Sequence, residues 1–273
     1  MANKVWFITG ASRGFGRVWA EAALQRGDQV AATARDPHTL DELEHMYGDA
    51  ILPIKLDITD RADDFAAVAD AQKRFGRLDV VINNAGYGLF GAIEEVSEAQ
   101  ARAQMETNFF GALWITQAAL PFMRQQGSGH IIQISSLGGV RALPGTGLYH
   151  ASKWALEAFS ESLAQEVEPF GIHVTIVEPN GFATDWSGSS AVRAETLPAY
   201  EAPRAALAAR HSSGSAGVPT ATAEAMFKIV DAEKPPLRVF FGKMGLPAAR
   251  ALYEQRLKTW EEWWDVSQAA QGN

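Results

Sequence analysis

A short apolar run, Lys4 to Thr9, ends in the turn Gly10-Ala-Ser-Arg-Gly14-Phe-Gly16 and passes directly into a helical stretch that stops at Gly27. Few folds accommodate this order. A strand that is apolar along its whole length is buried on both faces, which calls for a parallel sheet with helices above and below. Glycines at the strand-to-helix turn let the backbone approach a ligand closely. The helix N-terminus then presents unpaired N–H groups and a positive dipole, an arrangement that holds a pyrophosphate. The spacing is Gly-x-x-x-Gly-x-Gly, which differs from the commoner Gly-x-Gly-x-x-Gly.

The same strand-then-helix alternation continues along the chain. Further strands are predicted at Gln29–Ala34, Ile51–Leu56, Leu78–Ile82, His130–Ile134, His173–Val177 and Leu237–Phe240. Thr59 is placed to cap a helix through Phe75 that ends at Gly76. Ser97-Glu-Ala-Gln100 reads as a capping box opening one long helix to about Gln125. Helices are also predicted from Tyr149 to Phe170, from Thr220 to Val230 and from Leu246 to Ser267. At 273 residues, with 47% apolar and 21% charged residues, the chain suits one large α/β domain. Residues 1–184 are expected to form its cofactor-binding and catalytic core. Residues 185–217, rich in Ala, Ser, Gly and Arg after a strand's carboxyl end, are placed as a substrate lid. Residues 242–273 form a C-terminal helical extension, whose Trp260, Trp263 and Trp264 need burial against this subunit or another.

Composition removes several function classes. The net charge of −8 and the lack of a basic stripe argue against nucleic acid and anionic membrane as partners. Without cysteine there are no disulfides or thiolate metal sites, and the six histidines show no close ligand spacing, so no metal is expected. No apolar run reaches membrane-spanning length and no signal peptide precedes the first strand, so a cytoplasmic enzyme is expected.

The chemistry concentrates between Ser135 and Lys153. Tyr149 and Lys153 share one helix face at a spacing of four. A phenol near its ordinary pKa of ~10 exchanges protons poorly at neutral pH, and a lysine cation one turn away favours the phenolate. A loop turning at Pro144 and the glycines would bring Ser136 beside the phenol, where it would donate to a carbonyl oxygen as charge develops. This is a proton-transfer site for a ketone/alcohol couple. Beyond the second strand, where a dinucleotide's adenosine ribose lies, stand Arg35 and Asp36. Arg35 with Arg13 would clamp a 2′-phosphate, favouring NADP(H); Asp36 would instead take ribose hydroxyls and favour NAD(H). The following Pro37 makes an N-cap role for Asp36 the preferred reading. Asp57 ends the third strand where it would reach adenine or simply close a turn. Asn83-Asn84-Ala85-Gly86 follows the fourth strand, and Asn108 lies in an apolar stretch where a buried amide needs partners.

Taken together, these motifs resemble the short-chain dehydrogenase/reductase family from about Lys4 to Phe241. The resemblance rests on Thr9-Gly-Ala-Ser-Arg-Gly-Phe-Gly16, Asp57, Asn83-Asn-Ala-Gly86, Asn108, Ser136, Tyr149-x-x-x-Lys153 and Pro179 to Thr184. It implies a Rossmann fold: a doubly wound sheet of seven parallel strands. It implies Tyr149 as proton donor or acceptor, Lys153 holding the nicotinamide ribose, Ser136 orienting the substrate oxygen and Asn108 supporting a proton relay through Lys153. Gly10, Ser12, Arg13, Phe15 and Gly16 would surround the phosphates and adenosine, with Asp57 and Ile58 at the adenine. Asn84, Ala85 and Gly86 would lie along the ribose, and Pro179, Phe182 and Thr184 at the nicotinamide. Phe90, Leu143, Phe182 and Trp186 are candidate walls of an apolar substrate pocket. The expected activity is an NADP(H)-dependent carbonyl reductase or alcohol dehydrogenase on a small-molecule carbonyl or alcohol. The alternatives are an NAD(H)-dependent dehydrogenase and a non-catalytic protein that senses NADP(H). Two departures stand out. Asn180 replaces the family's glycine after the proline, where a glycine would let the backbone pass near the nicotinamide; asparagine tolerates positive φ better than most residues, so an adjusted geometry and not its loss is expected. The long tail resembles the hydroxysteroid- and retinol-dehydrogenase-like branch and bears on whether the protein is a homodimer or a homotetramer.

Overall fold

The computed structural model describes residues 3–211 and 216–272. Its strands are β1 (Val5–Ile8), β2 (Gln29–Ala34), β3 (Ile51–Lys55), β4 (Val80–Asn83), β5 (Leu89–Phe90), β6 (Gly129–Ile134), β7 (Ile172–Pro179), β8 (Val192–Arg193) and β9 (Arg238–Phe241). Seven form one sheet in the order β3-β2-β1-β4-β6-β7-β9, every pairing parallel. The chain winds outward in both directions from the β1–β4 junction. This is the doubly wound Rossmann arrangement, whose ligand crevice opens at the strands' carboxyl ends. The helices are α1 (Gly14–Gln25), α2 (Asp41–Tyr47), α3 (Arg61–Phe75), α4 (Glu98–Met105), α5 (Gly111–Gln126), α6 (Gly147–Val167), α7 (Glu201–His211), α8 (Thr222–Val230), α9 (Gly245–Glu262) and α10 (Trp264–Gln271).

The first strand shows how the sequence builds both layers. Successive strand side chains face opposite sides. Trp6 and Ile8 enter one core with Trp19 and Leu24 of α1 and Met226 and Ile229 of α8. Val5 and Phe7 enter the other with Val68 of α3, Ile115 of α5 and Leu163 of α6. The indole N–H of the fully buried Trp6 donates to Asp28 Oδ2 at 2.8 Å, which removes the penalty of an orphaned donor.

Several local expectations change. The cap of α3 is Asp60, whose carboxylate accepts from Ala62 N (2.9 Å) and Asp63 N (3.2 Å); Thr59 instead donates its hydroxyl to Asp57. The Ser97/Gln100 capping box forms as expected, with Ser97 N donating to Gln100 Oε1 at 3.0 Å. However, the helix it opens is interrupted by a π turn, Glu106–Phe110, that separates α4 from α5. Asn180 does not take a positive φ; among the described residues only glycines do. Its backbone N–H donates to Phe241 O at 2.9 Å, and its side chain lies against Gly242, which takes the positive φ of +102° instead. The tail breaks at Trp263, and Trp260, Trp263 and Trp264 are exposed, so this chain does not bury them. Helix α9 does rest on the body: Arg256 lies over the Trp154 ring and donates to Val140 O at 3.4 Å. No described helix is long and apolar enough to cross a membrane. Residues 212–215 of the segment read as a lid lie outside the described residues.

Candidate active site

Helix α6 carries Tyr149 and Lys153 into the space at the carboxyl ends of β4 and β6. Tyr149 is 6% exposed and Lys153 5%. Ser136, directly beyond β6, caps a short 3₁₀ turn and accepts from Gly138 N at 2.9 Å. That bond fixes its oxygen and leaves its hydroxyl proton free to donate. Ser136 lies beside the Tyr149 phenol and favours the phenolate. Burial nevertheless dominates and pushes the Tyr149 pKa up to about 12. Lys153 therefore does not draw the phenol toward neutrality in the protein by itself. Its Nζ sits 6.0 Å from the ring centroid and donates to Ile134 O at 2.7 Å. Burial lowers the Lys153 pKa to about 8, with the Glu157 charge opposing that shift.

Asn108 owes its placement to the π turn, a device that recurs at functional sites because the extra residue redirects a side chain. The amide is 1% exposed and fully engaged. Its oxygen accepts from Tyr87 N (3.1 Å), and its nitrogen donates to Tyr87 O (3.1 Å) and Ser152 Oγ (3.1 Å). Ser152 in turn donates to the Tyr149 carbonyl at 2.7 Å. Asn108 thus ties the strip after β4 to the helix that carries the phenol. A side chain on Gly86 would meet Asn108 Oδ1 at 3.1 Å and Lys153 Nζ at 3.6 Å, so Gly86 keeps open the space that both border.

Two partners went unread in the sequence: Ser152 and His150. His150 Nδ1 lies 3.0 Å from Gly138 O and its Nε2 lies 2.9 Å from Thr146 Oγ1. It therefore holds the residue whose N–H anchors Ser136. Its position beside Tyr149 was the available signal.

Gly10 (φ +68°) and Gly14 (φ +59°) shape the turn after β1. Helix α1 has no side-chain cap and no acid in its first turn, so its leading N–H groups remain available to a pyrophosphate. Ser12 is half-buried in that turn. Arg35 is exposed and has no ion-pair partner among the described residues, which suits a phosphate clamp. Asp36 accepts from His38 N at 3.1 Å, as the cap reading requires. These donors fit a phosphorylated dinucleotide. The remaining candidates have partners or close neighbours within the chain. Arg13 pairs with Asp185 at 3.2 Å. Asp57 accepts from Thr59 N and Oγ1, so it closes a turn, and Ile58 is buried where a side chain on Gly111 would meet it. Asn84 Nδ2 donates to Thr9 O (2.9 Å) and Gly10 O (3.1 Å), clamping β4 to the glycine turn. A side chain on Gly10 would approach the Ala85 backbone to 3.0 Å. Thr184 caps the 3₁₀ turn Asp185–Ser187, and Pro179 ends β7 opposite Phe241.

Of the candidate walls, Trp186 and Phe90 come together. The Trp186 ring lies 4.9 Å from Tyr149 and 5.2 Å from Phe90 between centroids. Leu143 is half-buried in the loop before α6. Phe182 does not join them; it packs edge-on to Phe15, which stacks on Trp19 over α1, so the side chains of Phe15 and Phe182 are spent on packing. The segment after Trp186 is fastened through β8, which pairs with β5, and through the buried Glu95. Glu95 accepts from Leu197 N at 2.8 Å and pairs with Arg204, contacts that hold its carboxyl down at about 2.

Comparison with known proteins agrees with this geometry. Residues 4–194 match the short chain dehydrogenase family. The chain is 43% identical to Oxidoreductase BOA17 of Botryotinia fuckeliana over 272 residues, covering 98% of this chain and 99% of that protein. It is 41% identical to a short-chain dehydrogenase from Streptomyces avermitilis, with a TM-score of 0.91 over 98% of both chains. Two solved structures at 26% identity hold cofactors. A short chain dehydrogenase from Burkholderia cenocepacia is in complex with NADP (TM-score 0.76, 95% of this chain and 97% of that one). A 3-ketoacyl-(acyl-carrier-protein) reductase from Brucella melitensis is complexed with NADH (TM-score 0.75, 87% and 96%). With its sheet order, its glycine turn and its buried tyrosine and lysine on one helix, the chain belongs to the short-chain dehydrogenase family, an oxidoreductase family.

Proposed function

We propose that the protein is an NADP(H)-dependent oxidoreductase that interconverts a ketone or aldehyde and the corresponding alcohol. The observation that carries this reading is the convergence of Tyr149, Ser136, Lys153 and Asn108 at the strand ends beside the glycine turn. When bound, the nicotinamide supplies or takes up a hydride at its ring C4. Tyr149 gives its hydroxyl proton to the carbonyl oxygen, and Ser136 donates a hydrogen bond to that oxygen as negative charge grows. The Lys153 ammonium stabilises the phenolate left behind. A phenol held at about 12 is fully protonated at neutral pH, so the resting protein is poised for reduction. The direct test is NADPH oxidation over a panel of ketones and aldehydes; no turnover with any of them argues for the binding-protein alternative.

The preference for NADP(H) rests on Arg35. Asp36, the residue that would favour NAD(H), spends its carboxylate on the cap. Replacing Arg35 by Ala is expected to weaken NADPH binding by roughly 10–100-fold, the loss of one or two charge-assisted bonds, and to leave NADH within about threefold. Titration by nucleotide fluorescence reads both constants, and equal losses would show that Arg35 does not meet the 2′-phosphate.

Residues 185–217 are read as the substrate lid, with Trp186 closing over Tyr149. Trp186→Ala is expected to lower kcat/KM for small ketones about tenfold, while bulky ketones lose less or gain, because the vacated volume suits a larger apolar group. An equal change for small and bulky substrates would remove Trp186 from the pocket wall.

A further inference from the structure

One turn behind Lys153 on α6 lies a group of ionisable side chains that the proton transfer above does not use. Glu157 faces Glu178 of β7, and both are buried, Glu178 to 1% exposure. Both carboxyls lie against the same guanidinium nitrogen, Arg238 Nε. Arg238 of β9 closes the outer side. Its Nε lies 3.2 Å from Glu157 Oε2 and 3.8 Å from Glu178 Oε1, and its Nη2 lies 2.7 Å from Glu161 Oε2. The charged groups facing the pair are therefore Lys153 and Glu161 on α6 and Arg238 on β9. Ser135, after β6, lies beside Glu157, both bordering Gly139.

As two carboxylates the pair is short of a donor. Neither Glu157 Oε1 nor Glu178 Oε1 has a hydrogen-bond partner. Two buried carboxylates drawn to one guanidinium nitrogen cannot both ionise cheaply, and one proton held between them would satisfy the orphaned oxygens. We propose that Glu157 and Glu178 are positioning residues that share a single proton and so keep one negative charge a helical turn behind Lys153, holding Lys153 as the ammonium ion. The inference rests on the reading of Tyr149 and Lys153 as the proton-transfer pair. Desolvation supports it from both sides. Burial raises Glu178 to about 8, with the Glu157 charge adding to the shift, and burial also raises Glu157. Lys153 is depressed by burial, and Glu157 is the charge that opposes the depression.

Two isosteric substitutions should act in opposite senses. Glu157→Gln removes the charge nearest Lys153, so Lys153 loses its proton at lower pH. Glu178→Gln keeps a donor for Glu157 but removes the competing carboxyl, so the negative charge settles on Glu157 and the Lys153 midpoint holds or rises. The experiment follows the side-chain ¹³Cε signal of Lys153 through a pH titration of the ¹³C-lysine-labelled full chain without cofactor, assigned by its loss in Lys153→Met. The midpoint is expected to fall by about one pH unit or more in Glu157→Gln, the scale of removing one nearby opposite charge. Glu157→Asp should restore most of it. The alkaline limb of NADPH-dependent ketone reduction should move with the midpoint. An unmoved midpoint in Glu157→Gln, or an equal fall in both glutamine variants, overturns the proposal. Should Glu157→Gln not fold, the unsubstituted protein still decides through its infrared spectrum. A shared proton gives the carbonyl stretch of a protonated carboxyl at pH 7 that Glu178→Gln removes, and its absence overturns the proposal. The titration reads the lysine without turnover, so its failure leaves the role of Tyr149 standing. Failure of that role shows instead as a Tyr149→Phe variant that keeps its rate.

Discussion

Tyr149→Phe is expected to lower the rate of ketone reduction by about 10³-fold while leaving NADPH affinity within about twofold. The magnitude is that of a general acid in the transition state, roughly 4 kcal/mol of lost stabilisation. The substitution is a clean probe because the ring stays. Tyr149 packs against His150 at 5.7 Å and Trp186 at 4.9 Å between centroids, contacts a phenylalanine retains. Only the hydroxyl is lost. Burial favours the neutral phenol here, so removing it also removes no charge from the resting core. The expected signature is a fall in kcat with KM for NADPH nearly unchanged, read by stopped-flow oxidation and by equilibrium titration. A variant that retains near wild-type turnover sinks the assignment of Tyr149. One that loses NADPH binding in parallel shows that the hydroxyl serves the cofactor and not the proton.

What the sequence disclosed and what it hid follow different physics. The sheet and the glycine turn were legible because most of the seven strands are short apolar runs closed by Gly, Asp, Asn or Ser, so local chemistry marks where each element stops. Tyr149, Lys153 and Ser136 were legible because one helix turn and one loop bring them together. The π turn was not. Glu106–Phe110 holds the same kind of residues as its neighbours, and one extra residue per turn leaves no mark on an apolar pattern. Strands β5 and β8 are two residues each and exist through pairing with each other, a long-range fact. The Tyr149 pKa went the other way from expectation because spacing reports only the neighbouring cation, whereas burial is set by the whole fold. Asn180 illustrates the same limit. Its tolerance of positive φ was real, but the chain placed that strain on Gly242, where a glycine was already available. Glu157 and Glu178 were invisible as a pair because α6 and β7 bring them together only in the folded sheet.

Gly16→Ala is expected to destabilise the fold by about 3 kcal/mol and to abolish tight dinucleotide binding, although Gly16 has an ordinary helical backbone. Its importance is proximity. A Cβ there would fall 2.4 Å from Gly10 O and 2.6 Å from Asn84 Nδ2. Neither neighbour can give way freely. The carbonyl belongs to the turn whose Gly10 carries a φ of +68°, and the amide donates to Thr9 O and Gly10 O. Helix α1 would have to tilt away from the turn, breaking the clamp between β1 and β4 and moving its leading N–H groups. Overpacking of this kind costs roughly 1–3 kcal/mol, and the lost Asn84 bonds add about 1 more. In a chain of this length that corresponds to a fall in Tm of roughly 6–12 °C. Gly27→Ala is the matched comparison. Its φ of +90° is strained for alanine, but nothing lies within 4 Å of the added carbon. It should cost only about 1 kcal/mol and leave dinucleotide binding intact. Thermal unfolding and NADPH titration of the two variants together separate backbone strain from close approach. If Gly16→Ala proves as mild as Gly27→Ala, the contact between α1 and the turn is not what shapes the dinucleotide crevice.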